Sequence, residues 1–279
     1  MNRRHFFLSS AALTAPFAVR PAAAASMPGD IKLGVATYSL REFQRDLCIK
    51  MVKQLNVEYV DIKEFHLPQT DPPAALAAGR KAFDKAGLNV IGGGNVSLQE
   101  HDEPGLRQHF EYAKNVGFPM MICAPLHENL GIVEKLAKEY NIRIAIHNHG
   151  PEDRNFPTPQ SVLEAVKGMD ARMGLCLDIG HTARTGKDIV ESIVEAGPRL
   201  FEMHMKDLKD PSGPKDQPAF SQVAVGDGAL PIPAIFKQLK KQNYQGVCSL
   251  EYEINGDDPL PGMQKSFAYM RGVLAGLRA

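Results

Sequence analysis

The chain has 279 residues, 44% hydrophobic and 23% charged, and its 32 basic residues balance 32 acidic ones. That composition excludes a disordered or low-complexity chain and suits one large globular domain or two small ones. Beyond the N-terminus no basic run exceeds a pair and Trp is absent, which argues against a nucleic-acid partner.

The first 25 residues read as a secretory leader. "MNRRHFFLSSAALTAPFAVRPAAAAS" has a basic start at Arg3 and Arg4, an apolar stretch from Phe6 to about Val19, and a small-residue run from Ala22 to Ala25. It is too short to span a bilayer. The arginine pair followed by Phe and Leu resembles a twin-arginine signal, with a general secretory leader as the alternative. No Cys lies near the cleavage region, so neither a lipid anchor nor stable membrane attachment is expected. The expected mature unit is one periplasmic domain, residues 26–279, with a net charge of −3.

From residue 31 onward short β-branched runs alternate with longer amphipathic segments. Strands are expected at "IKLGVATYS" (31–39), "VEYVDIKEF" (57–65), "LNVIGGGNV" (88–96) and "PMMICAP" (119–125). Four more are expected at "IRIAIHNHG" (142–150), "MGLCLDIGH" (173–181), "RLFEMHMKD" (199–207) and "GVCSLEYE" (246–253). Between them "PPAALAAGRKAFDKAG" (72–87), "ENLGIVEKLAKEYN" (128–141) and "PIPAIFKQLKKQN" (231–243) carry helical spacing, the first opened by Pro and closed by Gly. Eight strand–helix units in about 250 residues predict an α/β fold, a single (β/α)8 TIM barrel; a doubly wound open sheet is the rival. The loop from Asp210 to Gly228 is the longest connection and a candidate lid. Cys48, Cys123, Cys176 and Cys248 are widely spaced, three of them within apolar runs, and read as buried hydrophobes.

In such a barrel the site lies at the carboxyl ends of the strands. There the chain places Glu64 and His66 after strand two, His147 and His149 after strand five, and Asp178 and His181 after strand six. His204, Lys206 and Asp207 follow on strand seven, and Glu251 and Glu253 on strand eight. Alternation along each strand lets His147, Asp178, His204 and Glu251 face the axis while Leu177, Met203 and Leu250 pack outward. Two histidines and two carboxylates from four successive strands form a mixed N/O set suited to Mn, Fe, Co or Zn. Glu251 paired with Lys206 in a structural ion pair is the alternative for that side chain. Glu64 is a candidate base and His66 a candidate substrate contact, with capping of the second strand as the alternative.

"IHNHG", "LCLDIGHTARTG", "FEMHMKDL" and "LEYE" together resemble the xylose isomerase-like TIM-barrel superfamily, the sugar phosphate isomerase/epimerase group, from about Ile31 to Leu277. The resemblance implies one divalent metal ion, often manganese, with Co, Fe, Mg or Zn also compatible. By position the implied ligands are His147, Asp178, His204 and Glu251, and the implied substrate contacts are His181 and Lys206. Many epimerases of the group have Glu where this chain has His147, so one negative charge and one potential base are missing. A two-histidine strand five also resembles the inosose dehydratase branch. The expected function is therefore a metal-dependent isomerase or epimerase moving a proton next to the carbonyl of a sugar or keto-sugar through an enediolate. Glu251, Glu64 or His149 are the candidate catalytic groups. The alternative is a lyase or dehydratase that expels a β-substituent, with His149 or His181 as acid. Two further rivals are a nuclease related to endonuclease IV, disfavoured by the charge of −3, and a non-catalytic sugar-binding barrel.

Overall fold

A computed structural model describes residues 31–212 and 222–278. The leader and the centre of the candidate lid lie outside the described residues. Seven strands come first: β1 (Lys32–Ala36), β2 (Tyr59–Ile62), β3 (Asn89–Leu98), β4 (Met120–Pro125), β5 (Arg143–His147), β6 (Met173–Asp178) and β7 (Leu200–Met205). A short antiparallel pair, β8 (Asp207–Leu208) and β9 (Gln222–Val223), stands beside the barrel, and β10 (Val247–Leu250) is its eighth strand. All eight barrel strands run parallel and close where β1 meets β10, Lys32 opposite Val247.

The connecting helices are α1 (Arg45–Gln54), α2 (Pro73–Lys85), α3 (Glu103–Val116), α4 (Leu130–Tyr140) and α5 (Pro159–Ala165). They continue with α6 (Ile179–Arg184), α7 (Ile189–Ala196), α8 (Ile232–Lys241) and α9 (Leu260–Gly276). Their ends follow local chemistry. Asp102 caps α3 by accepting from the Gly105 amide at 2.8 Å, and Gly117 ends it in the left-handed region at φ 78°. None of these helices is long and apolar enough to cross a membrane.

Two apolar layers position the polar one. Outward-facing strand residues such as Val60, Leu177, Met203 and Leu250 pack with Phe83, Phe110, Phe236 and Phe267 of the helices. Met120, Ile122, Ala145, Cys176 and Phe201 form a smaller, separate cluster. Ala145 and Cys176 share strand parity with His147 and Asp178, so this cluster is the floor on which the polar residues stand. All four cysteines are buried and free.

The run through His181 is not all strand: β6 stops at Asp178, whose Oδ1 accepts from the His181 amide at 2.7 Å and starts α6. Asp207 is structural. Its Oδ1 accepts from the amides of Leu208 and Leu230, and its Oδ2 from those of Gly226 and Gly228, at 2.9–3.2 Å. A Cβ at Gly228 would stand 2.1 Å from Asp207 Oδ1, which explains the glycine at that position.

Candidate active site

Four ligand atoms, one each from His147, Asp178, His204 and Glu251, lie within 4.8 Å of one another, and all four residues are buried. His147 Nε2 faces His204 Nδ1 at 3.0 Å and Asp178 Oδ2 at 3.6 Å, while His204 Nδ1 is 3.2 Å from Glu251 Oε2. Two atoms bound to one ion at about 2.1 Å stand roughly 3.0 Å apart at right angles and about 3.4 Å apart in a tetrahedron. The 3.0 and 3.2 Å spacings fall in that range, and the 3.6 Å one lies just above it. Asp178 Oδ2 makes no well-aligned hydrogen bond among the described residues, with the Lys206 ammonium 3.1 Å and His147 Nε2 3.6 Å away, whereas its Oδ1 serves α6. A buried carboxylate oxygen whose nearest neighbours are an ammonium and an imidazole is already placed where positive charge is stabilised, as a cation site requires. The residues present therefore fit a divalent ion.

Charge in the site is arranged to match. Burial, helped by nearby His149, pushes His147 down to about 3, so its imidazole is neutral at ordinary pH. Burial opposes charge on His204, but the acidic groups around it, Cys176, Glu251 and Asp61, outweigh burial and raise it well above the usual value. Burial would also raise Asp178 and Glu251; the Lys206 ammonium and neighbouring imidazoles instead hold both well below the usual carboxylate range. Lys206 Nζ stands 3.1 Å from Asp178 Oδ2, 2.9 Å from Glu251 Oε2 and 2.6 Å from Glu253 Oε2. These carboxylates overcome burial and keep Lys206 protonated. Glu251 thus faces both the ligand cluster and Lys206, combining the two arrangements expected of it.

Above this layer opens a cavity of about 650 Å³, lined by His147, His149, His181, Lys206, Glu251 and Glu253, with Lys63, Asn95, Asp153 and Arg154 also on its walls. His149 Nδ1 lies 3.2 Å from Asp153 Oδ2, and Asn95 Nδ2 lies 2.8 Å from His149 Nε2. The carboxylate can only accept, so Nδ1 carries the proton and Nε2 holds the lone pair that the Asn95 amide donates to. Asp153 Oδ1 is fixed by the amides of Asn155 and Phe156 at 2.7 and 3.1 Å. Burial would raise the Asp153 carboxyl, yet His149 and these amides hold it at about 2. His181 is kept neutral by burial, and Arg184 Nη1 donates to its Nδ1 at 3.1 Å. Its remaining N–H is then at Nε2, which stands 3.5 Å from Lys206 Nζ and is free to turn its hydrogen toward the cavity.

Two sequence expectations are corrected. Glu64 does not line the cavity: β2 ends at Ile62, the chain turns, and the Glu64 side chain is 38% exposed and paired with Lys63 at 3.0 Å. His66 is buried away from the cavity, and both ring nitrogens are occupied. Nε2 donates to the carbonyls of Leu40 and Phe43 at 3.2 Å, and Nδ1 accepts from the Thr37 hydroxyl at 3.1 Å. It fastens the β1 loop to the β2 loop. Sequence reasoning missed Asp153 in a loop, Lys63 just past the end of β2, and Asn95 within β3 where the pairing register with β4 shifts. It also missed Asp61 and Glu202 beneath the ligand layer. For those two a signal existed: a charged residue inside "YVDI", and Glu202 on the same face as His204.

A closed parallel barrel, with two buried histidines and two buried carboxylates clustered at the carboxyl ends of its strands, defines the class of protein. Residues 49–273 match the model of the family described as xylose isomerase-like TIM barrel, and the chain belongs to that family. An inosose dehydratase from Mesomycoplasma hyopneumoniae is 26% identical over 167 residues, covering 54% of each chain. The chain thus spans about half the length of the curated relatives it matches. Among solved structures, the IolI protein with a bound zinc atom aligns at TM-score 0.70 and 19% identity, over 88% of this chain and 99% of that one. D-Psicose 3-epimerase aligns at 0.66 and 18%, over 89% and 98%.

Proposed function

We propose that the protein is a divalent-metal-dependent enzyme that withdraws a proton beside the carbonyl of a sugar or keto-sugar, and that it completes an elimination of water or an aglycone. The observation that carries elimination is a cavity with one oriented base, whose Nε2 lone pair is met by the neutral Asn95 amide alone among the described residues. His149 presents a lone pair at Nε2, oriented by Asp153, whereas Glu64 does not line the cavity and Glu253 is tied to Lys206. Epimerisation needs a second acid–base group on the opposite face of the carbon, and a single base suits removal and redelivery on one face.

His147, Asp178, His204 and Glu251 would hold the ion, which when bound stabilises negative charge developing on the substrate carbonyl oxygen. Manganese is the expected metal, with Co, Fe, Mg or Zn compatible. His149 Nε2 takes the proton from carbon while Asp153 holds the Nδ1–H. The resulting imidazolium returns that proton to the leaving oxygen as the carbon–carbon double bond forms. Lys206 stays an ammonium and, with the neutral His181 N–H, hydrogen-bonds the substrate oxygens. The inosose dehydratase relatives support this reading.

Isomerisation or epimerisation is the second reading, favoured by Glu251, which lines the cavity and can serve as the other base. Incubation of the metal-loaded protein with keto-sugars in D2O separates the two. Elimination gives an unsaturated product that disappears in His149→Ala. Deuterium entry without loss of water or aglycone refutes elimination in favour of isomerisation, and a protein purified with well under one ion per chain and inactive with added metal refutes both.

We also propose that residues 1–25 direct export to the periplasm by the twin-arginine route. In that case the barrel folds around its ion in the cytoplasm, away from metals that bind N/O ligands more tightly than manganese. A reporter fused to residues 1–30 should stop being exported when Arg3 and Arg4 become Lys; unchanged export refutes the route.

A further inference from the structure

One layer below the candidate ligands, the barrel axis holds polar side chains that the reaction above does not use. Asp61 on β2, Glu202 on β7 and Ser249 on β10 are all buried, with Asp61 only 1% exposed. β2 and β7 are not neighbours in the barrel, so Asp61 reaches across the interior. Its Oδ2 stands 3.3 Å from His204 Nε2. Neither atom makes a well-aligned hydrogen bond to any described residue, so each is the other's nearest charged neighbour. Glu202 Oε1 is farther from the same nitrogen, at 4.0 Å, and is already engaged by the Ser249 hydroxyl at 2.6 Å. The two nitrogens of His204 therefore look in opposite directions. Nδ1 faces the His147, Asp178 and Glu251 cluster, and Nε2 faces a carboxylate.

We infer that Asp61 is a positioning residue for the metal centre: it fixes His204 with its proton on Nε2 and so reserves the Nδ1 lone pair for the ion. The inference rests on the metal-dependent reading above. A neutral imidazole has one N–H and one lone pair, and a carboxylate can only accept, so Asp61 demands the proton on its side. An acid inside the apolar strand "YVDI" has no evident use for the fold, since an isolated buried carboxylate is costly and a hydrophobic residue of similar volume usually serves stability as well or better. An outer-sphere carboxylate on a ligating histidine typically accounts for 10- to 100-fold in metal affinity.

Stability and metal affinity should consequently move in opposite directions. Asp61→Leu should melt, metal-free, at or above the wild-type temperature while binding Zn²⁺ or Mn²⁺ about 10- to 100-fold more weakly in a calorimetric titration. Asp61→Asn keeps an acceptor oxygen at the same place and should recover most of the affinity. In the zinc-loaded wild type, NMR of isotope-labelled histidine nitrogens should find the His204 proton on Nε2. Wild-type affinity in Asp61→Leu, a lost affinity that merely follows a large fall in melting temperature, or a His204 proton on Nδ1 would each overturn the inference. The NMR measurement decides alone if Asp61→Leu does not fold. A wild type that binds neither metal overturns the metal-dependent reading and this inference with it, an outcome distinct from a wild type and variant that bind equally.

Discussion

Asp153 offers the sharpest test of the acid–base assignment, because two substitutions there should fail to different degrees. Its carboxyl is held at about 2 against an ordinary 3.8, a difference worth about 2.5 kcal/mol between charged and neutral forms. Part of that belongs to the Asn155 and Phe156 amides, and the side chain is 17% exposed, so the share felt by His149 is about 1 kcal/mol, or roughly fivefold in rate. Asp153→Ala should therefore lower kcat about fivefold, leaving the imidazole free to carry its proton on either nitrogen. Asp153→Asn should do worse. Its carbonyl oxygen would take over the two amides and its NH2 would donate to His149 Nδ1, driving the proton onto Nε2, where the base is needed and where Asn95 also donates. With the base blocked, the loss should approach the 10²- to 10⁴-fold that general-base catalysis contributes. The assay is the rate of solvent deuterium exchange beside the keto-sugar carbonyl, with metal content measured in parallel. That exchange reads proton removal whichever product forms. Metal should stay bound in both variants, since Asp153 is outside the ligand cluster. Asparagine as active as alanine, or either variant within twofold of wild type at full metal content, would refute His149 as the base.

His204→Ala and Asp178→Asn should each lose the ion and activity together; because Asn can still cap α6, Asp178→Asn should stay within about 1 kcal/mol of wild-type stability, and a full complement of metal in either would count against the ligand assignment. Burial, with Asp61 nearby, pushes the Glu202 carboxyl up to about 8. A raised carboxyl favours folding below its ordinary 4.5, and that contribution fades as pH climbs through about 8. Glu202→Gln should thus gain on the order of 1–3 kcal/mol over the metal-free wild type between about pH 5 and 8, read from urea midpoints; parallel pH slopes would refute it. A Cβ at Gly93 would lie 2.1 Å from the buried Phe118 ring, so Gly93→Val should cost about 1–3 kcal/mol, whereas Gly272→Ala, in open space on α9, should gain about 0.5–1 kcal/mol; melting curves that reverse this order contradict the packing account.

The sequence by itself determined the barrel and which polar residues cluster at its axis, because both depend on local regularities. Period-two strands such as "RIAIH" alternate with helical spacing such as "PAALAAGRKAFDK", and strand parity alone turns His147, Asp178 and His204 to one face, with Glu251, one residue past the end of β10, keeping the alternation. Parity holds only while the strand lasts. β2 stops at Ile62 and β6 at Asp178, so the sequence could not say that Glu64 turns outward, that His66 is spent on backbone carbonyls, or that His181 belongs to a helix. The His149–Asp153 dyad is set by how the loop after β5 folds back, with the His149 amide donating to the Phe156 carbonyl at 3.1 Å. Asp61 meets His204 only because the barrel closes, bringing residues far apart in the chain to within 3.3 Å across its axis. Which residues face the axis is a property of each strand, and which of them touch is a property of closure.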